Sequence, residues 1–227
     1  MFYDEEKTIT ACDNDPSLIF ELLREEHMEL LDKIISRKNF DINVLDTDGN
    51  NIVMKLLKKG QYKLVLKHLK NKKLDINHQN NDGNTLAHIL MALKNIKIVD
   101  IYNELRKNKK FDPNVLNNDG ETILDISIKN ESTYMTSKIL WDSRFNEVGV
   151  ASFKKYYDAY IKNSAYGFYS KLCNLELLVG SLSIREVSPK VKMIINYLKN
   201  NFDIIKEEVK NNKTKSIDSY LNEVLFA

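Results

Sequence analysis

The stretch Phe40-Asp-Ile-Asn-Val-Leu-Asp-Thr-Asp-Gly-Asn-Asn51 is written twice more along the chain. It returns as Leu74-Asp-Ile-Asn-His-Gln-Asn-Asn-Asp-Gly-Asn-Thr85 and as Phe111-Asp-Pro-Asn-Val-Leu-Asn-Asn-Asp-Gly-Glu-Thr122. The three glycines, Gly49, Gly83 and Gly120, are spaced by 34 and then 37 residues. A period in this range, with helical stretches between polar turns, marks an array of stacked repeats. Units of this kind cannot bury their apolar faces alone, so they stack and share long surfaces. A binding surface is therefore expected, and a reaction site is not.

Outward from each phrase, the pattern reads turn, helix, helix. The Asp-Ile-Asn or Asp-Pro-Asn segment is extended, and the Asp-Gly that follows is a turn, because Asp and Asn bond nearby backbone and Gly accepts positive φ. Ile52, Val53, Leu56 and Leu57 recur at helical spacing, as do Leu64, Val65 and Leu69, and Gly60 separates the two runs. Thr85 is placed to cap a helix through Leu86, Ile89, Leu90 and Leu93; the next carries Ile98, Val99, Tyr102 and Leu105. An earlier, imperfect copy begins at Pro16-Ser-Leu-Ile-Phe and continues through Leu30-Leu-Asp-Lys-Ile-Ile35. It lacks the Gly turn, as a terminal capping unit does.

These residues resemble the ankyrin-repeat family. The family's Asp-Gly-x-Thr-Pro-Leu-His-x-Ala signature fits the middle unit best, where Asp82, Gly83, Thr85 and His88 match, followed by Val99 and Asn114. The proline is replaced throughout, by Ile52, Leu86 and Ile123, and Met54 and Asp125 stand where the histidine would be. The resemblance spans roughly residues 15–140. It implies an all-α fold: about four helix-turn-helix repeats, the first a degenerate cap, closed by a C-terminal helical capping region. The expected division is 1–140 for the repeats and 141–227 for the aromatic-rich helical cap or small domain.

The resemblance further implies that turn tips and first helices line a concave face that grips other proteins. Carried over by position, the partner-binding residues are Thr47, Asn50, Lys58, Lys59, Asn81, Asn84, Asn118, Glu121 and Lys129. The turn aspartates Asp48, Asp82 and Asp119 are expected to satisfy their own turn backbones. Residues two positions to either side are expected to be free for contact. His88 is expected to hydrogen-bond structurally between neighbouring units.

Composition excludes much else. Net charge is +2 over 227 residues, so no global field favours nucleic acid or a membrane surface. No apolar run reaches 18 residues, so no spanning helix is expected. Cys12 and Cys173 have neither a pairing pattern nor metal-ligand spacing, which fits a reducing, intracellular compartment, cytoplasm or nucleus. The polar, acidic N-terminal residues are unlike a signal peptide. His27, His68, His78 and His88 share no metal-binding arrangement, and no nucleophile turn or phosphate loop is visible. No cofactor, no metal and no catalysis are expected. Eight lysines and no acid lie between Lys55 and Lys73, read as a solvated helix face in preference to a basic flank that recruits an acidic partner or a polyanion.

From Trp141 onward the phrase stops and aromatics gather: Trp141, Phe145, Phe153, Tyr156, Tyr157, Tyr160, Tyr166, Phe168 and Tyr169. Helices are expected over 151–161 and 172–182, from Pro189 through Ile205, and over 216–226. This region most simply caps the repeats. The protein is thus read as an adaptor or inhibitor for an unidentified protein partner. The alternative gives the C-terminal region a direct activity, nucleic-acid binding or unrecognised catalysis, with the repeats as targeting module.

Overall fold

Among the described residues of the computed structural model every regular element is helical, apart from one isolated bridge between Leu45 and Asn51. The structure describes residues 4–93, 98–130, 132–140, 142, 144, 156–159, 171, 174–176, 179–180, 189–211 and 213–226. The chain divides into two compact units, Met1–Gly120 and Glu121–Ala227. The boundary expected at residue 140 falls inside the second unit. Among the described residues no helix is long and apolar enough to cross a membrane.

The first unit begins with a helix that the sequence reading did not anticipate, α1 (Glu5–Asn14). Asp4 caps it by accepting the Lys7 N–H at 3.2 Å. Its charged surface masks one buried residue, Cys12, whose thiol is pushed above its ordinary pKa, first by burial and then by Asp13 and Asp15. A desolvated thiol of this kind is poorly nucleophilic. After a 3-10 turn (Pro16–Leu18) come α2 (Ile19–Arg24) and α3 (Met28–Ile35). Lys33 on α3 pairs with Glu5 at 2.9 Å, and Arg37 just beyond it pairs with Asp13 at 2.7 Å.

Two helix pairs follow, α4 (Ile52–Lys58) with α5 (Tyr62–His68), and α6 (Leu86–Ala92) with α7 (Ile98–Lys107). First helices pack on first helices (α2 on α4, α4 on α6), and α5 packs on α7, giving two rows. This explains the composition of α4: enclosed by α2, α5 and α6, it buries Ile52, Val53, Met54, Leu56 and Leu57. Each such side chain contributes about 1.5–3 kcal/mol. Second helices are amphipathic instead; α7 buries Ile98, Ile101, Tyr102 and Leu105 and turns Asp100 outward.

The cap signals are where the phrase predicts them. Asn51 and Thr85 accept the N–H groups of Met54 and His88. His88 returns the bond: its Nδ1 accepts the Thr85 N–H at 3.1 Å, closing a capping box. The Gly60 turn between α4 and α5 has φ +71°; in the imperfect first copy, Glu26 takes the equivalent place at φ +64°.

In the second unit, α8 (Ile123–Lys129) pairs with α9 (Thr133–Leu140), and Asp125 completes a capping box with Thr122 where the middle unit has His88. Three further helices pack together: α10 (Pro189–Asn200), α11 (Phe202–Lys210) and α12 (Lys215–Phe226). The single helix expected from Pro189 through Ile205 is broken at Asn201 (φ −115°). The Tyr197 carbonyl accepts both the Asn201 side-chain amide at 2.9 Å and its backbone N–H at 3.0 Å, at the last turn of α10. Tyr197 and Tyr220 stack with centroids 3.9 Å apart, locking α10 to α12. Of the helices expected over 151–161 and 172–182, the described residues are 156–159, 174–176 and 179–180, all helical. Trp141, Phe145, Phe153, Tyr160, Tyr166, Phe168 and Tyr169 lie outside the described residues.

Candidate interaction surface

The three turns of the phrase are built by one local device. Asp46, Asn80 and Asn117, each three residues before its glycine, fold the chain back through the side chain. Asp46 Oδ1 accepts the N–H groups of Asp48 (3.0 Å) and Asn50 (2.8 Å). Asn80 Oδ1 accepts those of Asp82 (3.1 Å) and Asn84 (2.9 Å), and Asn117 Oδ1 accepts that of Asp119 (3.1 Å). Each glycine N–H then closes the turn onto the carbonyl of the same residue: Asp46, Asn80 or Asn117. The expectation that Asp48, Asp82 and Asp119 satisfy their own turns is therefore corrected: the Asx residue two positions earlier does this. A side chain bonds N–H groups that follow it in the chain most readily, so the duty falls on the residue that opens the turn.

Successive turns are then tied edge to edge. The Asn81 N–H donates to the Asp48 carbonyl at 3.0 Å, and the Asn118 N–H to the Asp82 carbonyl at 3.1 Å. Asn81 Nδ2 reaches the Thr47 carbonyl (3.1 Å), and Asn118 Nδ2 the Asn81 carbonyl (2.9 Å). Beneath the tips runs a polar spine. Asn80 Nδ2 donates to Asn50 Oδ1 at 3.0 Å, and Asn117 Nδ2 to Asn84 Oδ1 at 3.1 Å. Lys58 Nζ also donates to Asn50 Oδ1, at 2.9 Å. Asp46 is anchored by Lys55 at 2.7 Å. Burial opposes its charge, but Lys55 and Asn50 together hold its carboxyl below the ordinary value of 3.8.

The expected contact residues therefore separate. Thr47, Asn81 and Asn118 stand exposed at the tips, although both asparagines also tie adjacent turns. Asn50 is fully buried, and a contact role for its side chain is corrected to a structural one: it joins Asp46, Lys58 and Asn80. Asn84 is half-buried and similarly engaged by Asn117. Lys58 and Lys59 are exposed at the end of α4. Glu121 and Lys129 belong to the second unit, where they approach each other at 3.4 Å.

Sequence reasoning missed two features of this surface. The spine residues Asp46, Asn80 and Asn117 were signalled by an Asx at a constant distance before each glycine. Leu45 and Leu116, one residue earlier in the outer two turns, are 44% and 54% exposed. Gln79, their counterpart in the middle turn, donates to the carbonyls of Gly83 (2.7 Å) and Leu116 (2.8 Å).

His68 was also unassigned from sequence and is buried. Its Nε2 lies 2.9 Å from Asp32 on α3, and Lys67 pairs with the same carboxylate at 2.7 Å. Among the described residues no group of His, Cys, Asp and Glu could hold a metal ion. The sequence places Tyr156, Tyr157 and Tyr160 among Lys154, Lys155 and Lys162, a cluster that permits base stacking; Tyr156 and Tyr157 are buried, and the other four lie outside the described residues. No protein-family profile matches the chain, and no curated protein is significantly similar to it.

Proposed function

We propose that this protein is an intracellular, ankyrin-like adaptor or inhibitor that binds a protein partner through its aligned turn tips. The single observation that carries this reading is the edge-to-edge tying of three equivalent turns, which sets their exposed residues in one row. The polar atoms beneath the row are used by the spine, so the scaffold is rigid where the tips are presented, and a preorganised surface loses less entropy on binding. Thr47, Asp48, Asn81, Asp82, Asn118 and Asp119 are the exposed polar members, with Leu45 and Leu116 as apolar ones. A fold of this kind serves unrelated targets, so the tips and not the helices choose the partner.

The test is capture from lysate by the intact chain and by a variant carrying Asp48→Lys, Asp82→Lys and Asp119→Lys. These carboxylates accept no turn N–H, and Lys55, 3.7 Å from exposed Asp48, keeps its shorter 2.7 Å pair with Asp46; the variant is expected to fold like the parent while losing at least tenfold in apparent affinity, as reversed charges at an interface do. A partner retained equally by both forms would remove the tips from the binding surface.

A further inference from the structure

Each second helix of the first unit runs out into the same basic phrase. Lys70-Asn-Lys-Lys-Leu-Asp75 follows α5, and Lys107-Asn-Lys-Lys-Phe-Asp112 closes α7. A shorter version, Arg37-Lys-Asn-Phe-Asp41, follows α3. The apolar residue of each loop, Phe40, Leu74 or Phe111, is buried and pins the loop down, while the lysines around it are exposed.

The loops are fastened side by side. Asn43 Nδ2 donates to the Lys73 carbonyl at 2.8 Å, and Asn77 Nδ2 to the Lys110 carbonyl at 2.7 Å. Lys73 Nζ reaches the Lys38 carbonyl at 2.9 Å. Lysines that are far apart in sequence thereby join one row. Arg37 is held by Asp13, and Lys107 by Glu104. The other six, Lys38, Lys70, Lys72, Lys73, Lys109 and Lys110, have no carboxylate within ion-pair distance among the described residues. The same loops carry Asp41, Asp75 and Asp112, whose carboxylates accept the N–H groups of Asn43, Asn77 and Asn114. Lys70 and Lys109 each lie two residues past the carbonyl end of their helix, α5 or α7, where the helix itself favours a cation, and Lys72, Lys73 and Lys110 lie farther out.

We propose that this row is a second docking surface, which binds an extended acidic segment of a protein partner across successive loops. Lysine is a compact, hydrated point charge that pairs with carboxylates without a fixed geometry. Bidentate recognition of phosphate favours arginine, and the one arginine here is already occupied by Asp13. The aromatic rings of the loops, Phe40 and Phe111, are buried, so no platform exists for stacking bases. None of the three phrases exposes an apolar side chain to enter a bilayer. The surface is distinct from the turn tips, and its test needs no knowledge of their partner.

Binding of a labelled decaglutamate peptide, a duplex oligonucleotide and phosphatidylserine vesicles would be measured on the full chain at physiological salt. One variant carries Lys72→Gln, Lys73→Gln, Lys109→Gln and Lys110→Gln. A control carries Lys63→Gln, Lys192→Gln, Lys206→Gln and Lys213→Gln, which removes the same charge from exposed lysines elsewhere. Circular dichroism melting checks that both fold. The expected result is peptide binding weakened about tenfold by the first variant and less than twofold by the control. Equal loss in both variants, tighter binding of the oligonucleotide or vesicles than of the peptide, or no peptide binding would each overturn the proposal.

Discussion

Asn77 grips the backbone on both sides of Phe111 through the two ends of its side-chain amide: Oδ1 accepts the Asp112 N–H at 2.9 Å, and Nδ2 donates to the Lys110 carbonyl at 2.7 Å. Asn43 does the same one unit earlier, accepting the Asp75 N–H at 2.8 Å and donating to Lys73 at 2.8 Å. The closing asparagine of each Asp-Ile-Asn is thus a clasp between units. Asn77→Ala should lower stability by about 1–2 kcal/mol, since two bonds go and one backbone N–H loses its partner. Urea unfolding would measure it; a midpoint equal to the parent's would mean that water replaces the clasp without cost.

Gly83 and Gly120 share a positive φ, at +74° and +70°, but differ in what surrounds them. A Cβ at Gly83 would meet the Asn118 side-chain oxygen and lie 2.6 Å from its backbone nitrogen, whereas at Gly120 nothing lies within 4 Å. Gly120→Ala should therefore cost only the left-handed backbone penalty, about 1 kcal/mol. Gly83→Ala should cost clearly more, because the neighbouring turn must move aside. Equal losses in thermal or urea unfolding would contradict the edge-to-edge packing of the turns.

Glu26 occupies the left-handed conformation that Gly60 occupies in the next unit. Glu26→Gly should stabilise the protein by about 0.5–1 kcal/mol, the relief of strain exceeding the added freedom of the unfolded chain. Its side chain is exposed, so little packing is lost. A fall in melting temperature would show that this turn tolerates the side chain without strain.

His68 couples the first unit to pH. Burial holds its pKa below the ordinary 6.5, Asp32 pulling the other way and Lys67 adding to the lowering. The unfolded chain then takes up a proton more readily than the folded one. The resulting stability is fully present above pH 6.5 and is lost as pH falls through that value towards the folded pKa. Asp32 contributes separately at lower pH: burial works against its charge, but Lys67 and His68 hold its carboxyl below 3.8, so its share is lost below that value. His68→Gln keeps a donor for Asp32 and removes the titration. Unfolding free energies at pH 7.5 and 5.0 should differ less in this variant than in the parent, and an unchanged difference would place the coupling elsewhere.

Much of the fold was legible because its instructions are local. The helix pairs follow from apolar spacing in 52–57 and 98–105, the caps from Asn51 and Thr85, and the turns from Asp-Gly. Three local signals were underread. The charged face of α1 concealed its single buried position at Cys12, Asn201 leaves helical geometry inside an apolar pattern that continues, and Glu26 adopts a glycine's conformation without being one.

The roles of the polar residues were a different matter. Asn50, Asn81 and Asn84 are chemically alike and lie within two residues of a turn glycine, yet Asn50 is enclosed and Asn81 exposed. The same holds for lysine, where Lys58 serves Asn50 and Lys72 faces water. The sequence by itself determined where the chain turns, where it coils and which apolar faces must meet, because these depend on neighbours within a few residues. Only the tertiary structure decided which amides bind the next unit and which remain for a partner. That choice depends on a hydrogen-bond acceptor delivered from 30 or more residues away, whose position is set by the stacking of whole units.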